Sequence, residues 1–159
     1  MRTGLAFLIC LFLAAPAQGR LTFTRADGSR IAFKGPTTVR CGAWADDVRR
    51  PALHIARGGT KRHWQLDVVR RDLKNETPLE FPNDFVFDRP RGAQLFVADA
   101  PDEASTAGED SSGSIVFSRH GCRPGVGVVF RIDAVLDSEF GDGDPVHVTG
   151  RFRGRVTSY

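Results

Sequence analysis

The side chains best suited to chemistry crowd one short stretch, HIARGGTKRHW at residues 54–64, where His54 and His63 flank the pair Gly58-Gly59. Two imidazoles brought side by side can hold a Zn²⁺, Cu²⁺ or Ni²⁺ ion. A two-residue turn at Gly58-Gly59 sets Arg57 against Thr60, Leu53 against Trp64 and His54 against His63, with the histidine Cβ atoms ~5 Å apart. A three-residue turn, Gly58-Gly59-Thr60, puts His54 opposite Trp64 instead. Lys61 and Arg62 oppose a dication and only two ligands are in view, so an exposed pair titrating near neutral pH is the plainer expectation than a metal site.

Two other sets of charges are candidates. Arg151, Arg153 and Arg155 recur at every second position near the C-terminus, a ladder of guanidinium groups that suits phosphate, sulfated sugar or lipopolysaccharide. The bland alternative is a solvated face opposing Arg131 and Asp133 on a neighbouring strand. The acid-rich run from Asp99 to Glu103, continued by Glu109, Asp110, Ser111, Ser112 and Gly113, has the composition of a mobile surface loop. With Asp142 and Asp144 it is also a source of oxygen ligands for Ca²⁺, although no EF-hand spacing accompanies it. No G-x-S-x-G elbow, H-E-x-x-H helix or Walker loop occurs in the chain. No cofactor is therefore expected.

The elements that must position these groups are strands. Apolar residues recur with period two, between clusters of Gly, Pro, Asp and Asn. Leu21 to Thr24 and Ile31 to Phe33 flank Asp27-Gly28, which predicts an opening hairpin. Further strands are expected near 37–41, 52–57, 61–69, 84–88, 94–99 and 114–119, with at most a short helical turn between Ala43 and Arg50. Trp64, Leu66 and Val68 alternate with His63, Gln65 and Asp67, which makes Trp64 a core aromatic. The clearest pair is C-terminal. Val126, Val128, Phe130, Ile132, Ala134 and Leu136 share one face, and Val146, Val148, Gly150, Phe152, Gly154 and Val156 share another, so the two strands should pair antiparallel with one side in the core.

Residues 1–19 read as a secretory signal peptide: Arg2 precedes the apolar run GLAFLICLFLAA, and small residues at positions 15, 17 and 19 suit cleavage between Ala17 and Gly19. The run is too short for a comfortable membrane span of ~20 residues, so the mature chain is expected to carry no transmembrane segment. Cys10 lacks a small residue just ahead of it and makes no lipid-attachment site. Residues 20–159 are then one domain, in a secreted or periplasmic location. Loss of Arg2 leaves 21 basic against 19 acidic residues, a balance that argues against nucleic acid as a partner. Only three of the basic residues are lysines, a bias that points to a GC-rich bacterial coding sequence. Cys41 and Cys122 remain as a pair in an oxidising compartment and are expected to form a disulfide.

Ser114-Ile115-Val116-Phe117, then Cys122-Arg123-Pro124-Gly125, then a long alternating strand and Val148-Thr149-Gly150-Arg151-Phe152-Arg153-Gly154, resemble a pattern in small all-β secreted and lipoprotein-like bacterial proteins. The likeness covers about the last third of the chain. It implies an exported location and carries no activity and no site residues.

The expected fold is a single-domain antiparallel β-sandwich of about eight to ten strands, jelly-roll-like or immunoglobulin-like, with a partly open β-barrel as the alternative. The expected function is an exported non-enzymatic binding or structural module of the cell envelope or extracellular space, with a protein or an anionic glycan as partner. A barrel-type carrier of a small apolar ligand is the second reading. An exported hydrolase or metal-dependent enzyme is the third.

Overall fold

The computed structural model describes residues 20–44, 47–82, 92–100, 102–138 and 143–158. The leader at 1–19, the expected strand at 84–88 and Asp142 lie outside the described residues. Within them the first half of the chain forms β1 (Arg20–Arg25), β2 (Arg30–Ile31), β3 (Thr37–Trp44), β4 (Asp47–Gly58) and β5 (Arg62–Val69), followed by one 3-10 turn at Arg70–Asp72. The second half adds β6 (Pro78–Phe81), β7 (Ala93–Asp99), β8 (Asp102–Ser105), β9 (Ser112–Arg119), β10 (Gly127–Ser138) and β11 (Val146–Arg155).

The protein is all-β, as expected, and takes the partly open barrel form of that expectation. One antiparallel sheet runs in the order β2-β1-β11-β10-β8-β7-β5-β4-β3, with β9 on β10 and β6 on β9, and curls into a half-barrel. The strand that makes this possible is β10. It pairs with β9 from Val129 to Val135, then passes to β8 at Asp137 and Ser138, so a single strand carries hydrogen bonding from one arm of the sheet to the other. Strands β1, β2, β6, β9 and β11 form the first arm with it, and β3, β4, β5, β7 and β8 the second.

The arms face each other through their apolar positions. Trp64 on β5 lies 5.9 Å, centroid to centroid, from Phe23 on β1 and 6.3 Å from Phe152 on β11, and Phe152 stacks at 5.0 Å on Phe130 of β10. All three contacts fall in the range that favours aromatic pairs. The C-terminal hairpin pairs as its alternation predicts: Val128 opposes Gly154, Phe130 opposes Phe152 and Leu136 opposes Val146. Its inward apolar side chains are buried, each contributing roughly 1.5–3 kcal/mol if fully removed from water.

Two local expectations are corrected. Eleven strands are present among the described residues, because β6 and β8 are four-residue strands and β8 lies inside the acid-rich run. The described residues between Ala43 and Arg50 are strand and not helical turn: β3 runs on to Trp44, β4 starts at Asp47, and Ala43 pairs with Pro51. The ladder that commits Thr37–Gly42 to β4 keeps the adjoining backbone extended. Pro51 is tolerated because it lies beyond the β4–β5 ladder, which begins at Ala52.

The strand β3 ends the order, yet its edge is covered. After β11 the chain crosses to it: Thr157 donates from its backbone N–H and from Oγ1 to the Val39 carbonyl at 2.8 and 2.9 Å, and the Cys41 N–H donates to the Ser158 carbonyl at 3.1 Å. Cys41 and Cys122 form the expected disulfide, with Cα atoms 5.4 Å apart, tying β3 to the β9–β10 connection. This end of the seam between the arms is closed. At the other end, the segment after β2 spans the gap to β3, and Phe33 packs edge-on against Phe23 at 4.8 Å.

Candidate functional site

The HIARGGTKRHW stretch folds as the end of β4, a turn and the start of β5, in neither of the two registers weighed from sequence. Gly58 pairs with His63 and Arg57 with Trp64, so the connection is the four residues Gly59 to Arg62. Gly58 belongs to the strand and has φ 124°, and a Cβ there would sit 2.3 Å from the Arg62 carbonyl oxygen, which confines the position to glycine. The longer loop moves His54 opposite Asp67. His63 is then four residues along β5 from that position, roughly 13 Å away at the strand rise, so the two imidazoles do not share an ion. Neither the plainer expectation of an exposed His54–His63 pair nor its metal-binding alternative fits this register.

The structure makes a buried polar cluster instead. His54 Nδ1 lies 2.6 Å from Asp67 Oδ1, Gln65 Nε2 donates to Asp67 Oδ2 at 2.6 Å, and His54 Nε2 faces the Ala43 carbonyl at 3.1 Å. Histidine and aspartate at this spacing form two members of a hydrolytic triad, but the third role needs Nε2 open to a hydroxyl. Here a backbone carbonyl occupies it. The cluster joins β3, β4 and β5, and a one-residue slip of register would break it.

The arginine ladder lies on the outer, wet face of the first arm, where Arg151, Arg153 and Arg155 are exposed. Asp133 opposes Thr149 and Arg131 opposes Arg151, while on the other side of β11 Arg20 also opposes Arg151. Three arginines therefore form one row across β1, β11 and β10, all exposed. Gly150, beside this row, has φ 135°, and a Cβ there would meet the Arg20 carbonyl oxygen at 2.0 Å. Its glycine lets β1 approach and bring Arg20 into line. The acids nearby are few: Glu76 reaches Arg131 at 3.9 Å, and Asp133 Oδ1 lies 2.9 Å from His147 Nε2.

The described residues of the acid-rich run hold strands and hydrogen-bonded turns. Asp99 ends β7 and is buried, and Asp102–Ser105 is β8. Beyond it Thr106 exchanges two hydrogen bonds with the Leu95 backbone, at 2.9 Å each, and Ser111 Oγ donates to the Ser105 carbonyl at 2.8 Å and accepts from the Asp137 N–H at 3.1 Å. Buried hydroxyls satisfying backbone groups do the work that apolar residues do elsewhere. Among the described residues no group of three or more His, Cys, Asp or Glu is placed to hold a metal ion, and Asp99 is already claimed by two arginines.

Those arginines mark the open end of the half-barrel. Arg25 from β1 and Arg62 from β5 both bind the buried Asp99 carboxylate, through Nη2 and Nε. A fourth charge, Arg57, lines a cleft of about 190 Å³ with Leu21, Phe23, Phe33, Trp64 and Phe152. Its Nε is buried without a hydrogen-bond partner. The sequence holds a signal for all four residues. Arg25 follows Phe23, Arg57 follows Leu53 and Ile55, Asp99 follows Leu95 and Val97, and Arg62 precedes Trp64, always two positions apart. Each charge occupies an inward position at the end of an apolar alternation.

Among the described residues, no helix is long and apolar enough to cross a membrane. Comparisons with protein-family models, with curated proteins and with solved structures find no match to this chain.

Proposed function

We propose that the chain is an exported, non-enzymatic binding module whose outer β1–β11–β10 face takes an anionic glycan of the cell envelope, one carrying phosphate or sulfate groups. The observation that carries this reading is the cross-strand row Arg20, Arg151, Arg131. Like charges set directly opposite one another destabilise a sheet, and of the two acids nearby Glu76 stands 3.9 Å from one arginine while Asp133 bonds to His147. A ligand that supplies several anions removes that repulsion. Strand geometry fixes the grid: neighbours across strands are about 5 Å apart and alternate residues along β11 about 7 Å apart, so Arg153 and Arg155 extend the row into an L-shaped array. Guanidinium forks hold phosphate and sulfate oxygens in pairs of parallel hydrogen bonds. The predicted leader and the disulfide support an extracytoplasmic setting.

The test is salt elution from a heparin column. Replacing Arg20, Arg131 and Arg151 by Gln should lower the eluting salt concentration strongly. The control removes as much charge elsewhere, through Arg30→Gln, Arg70→Gln and Lys74→Gln, and should change elution little. Equal losses from the two triples would mean that net charge alone governs retention, and would sink the proposal.

A further inference from the structure

The open end of the seam carries a second site. Arg57 sits on β4 between Thr37 of β3 and Trp64 of β5, on the inward face, where its neighbours two and four residues back, Ile55 and Leu53, are fully buried. A guanidinium in such a position normally has an acid beside it. The two other inward arginines at this end share Asp99. Among the described residues no carboxylate lines the cleft of Arg57, whose walls are mainly Leu21, Phe23, Ile31, Phe33, Trp64 and Phe152, and none supplies a hydrogen-bond partner to its buried Nε. Each unsatisfied buried polar atom in a native fold calls for a partner that completes it.

We propose that this cleft binds a small amphiphilic monocarboxylate, with the carboxylate on Arg57 and an aryl or short alkyl group against Phe23, Phe33, Trp64 and Phe152. The chemistry on each side is fixed by the lining. A guanidinium pairs with a carboxylate through two parallel hydrogen bonds, and aromatic walls gain from covering an apolar body. A volume of about 190 Å³ encloses about eight heavy atoms, given that a cavity of ~150 Å³ accommodates the six of benzene, so the cleft takes the carboxylate and most of an eight-carbon chain. This site faces inward, on the opposite side of the sheet from the arginine row, and does not depend on it.

The probes are octanoate, octanol and inorganic phosphate, titrated against the purified protein in a Trp44→Phe background so that fluorescence reports Trp64. Octanoate should give a saturable change with an affinity at least about tenfold above that of octanol, the margin expected of one charge-assisted pair. Arg57→Met should abolish that margin and leave octanol binding unchanged; Arg57→Gln serves as the second variant if the first fails to fold. Arg57→Met should melt no lower than the parent, because it removes the buried Nε that lacks a partner. Equal binding of acid and alcohol, an undiminished preference in the variants, or phosphate competing as well as octanoate would overturn the proposal. The Arg20, Arg131 and Arg151 triple variant should bind octanoate normally, so failure of the glycan reading and failure of this one are told apart.

Discussion

The seam between the two arms is built in opposite ways at its two ends. At the closed end the arms are joined directly: Thr157 and Ser158 bond to β3, Cys41 and Cys122 form the disulfide, and the half-cystines are buried. At the open end the inward positions hold charges, with Arg25 and Arg62 on Asp99, and with the buried Nε of the half-buried Arg57 lacking a partner among the described residues. One end spends its residues on joining the arms and the other on chemistry between them. The difference teaches where function can reside in a curled sheet: stability is concentrated where the edges are stitched, which leaves the other rim free to carry unmatched polar groups.

That contrast can be broken from either side. Replacing both Cys41 and Cys122 by Ala should lower unfolding free energy by about 4 kcal/mol in the chain-entropy model for a loop this long; urea denaturation measures the loss. Amide exchange should then quicken at Cys41 and Thr157, whose N–H groups bond across the closed end, and stay unchanged at Trp64. Asp99→Ala tests the other rim. It leaves Arg25 and Arg62 facing each other, and since their side chains are 30 % and 49 % exposed, the cost should be about 2 kcal/mol, below the figure for a fully buried pair. Arg57→Met should carry the opposite sign, a gain of about 1 kcal/mol from removing an uncompensated buried group. A loss there would mean that Arg57 has a structural partner, and the contrast between the ends would dissolve.

A smaller effect belongs to the closed end. His120 precedes the disulfide loop and packs edge-on near Phe117, and burial holds its pKa below the ordinary 6.5. The folded protein therefore takes up this proton less readily than the unfolded chain does. Stability from this source is complete above about pH 6.5 and declines as pH falls through the folded-state value. Urea midpoints at pH 7.5 and 5.0 should differ by less in His120→Gln than in the parent.

Much of the framework is legible from local pattern. The alternation in β10 and β11 identifies both the inward face and the pairing, since only one face of each strand is apolar. The HIARGGTKRHW register is not legible, because two glycines admit several loop lengths and a change of length reassigns every cross-strand partner. The pairing of His54 with Asp67 follows from a loop two residues longer than the shortest one. Composition hides β8 as well: Asp, Glu and Ser suggest a solvated loop, whereas the backbone there pairs with β7 and the hydroxyls of Ser105, Thr106 and Ser111 are buried. The arginine row is legible only in part. Arg151, Arg153 and Arg155 alternate within one strand, but Arg20 joins them through a pairing between the first strand and the last.

That last pairing has a consequence for the order in which the chain can mature. Among the described strands β1 is made first and its long ladder is with β11, while β3 receives its outer hydrogen bonds from residues 157 and 158. Neither β1 nor β3 has these neighbours until residues 146–158 have been made. A nascent or threading chain thus lacks the contacts that would lock it, and the many long-range pairings favour slow closure.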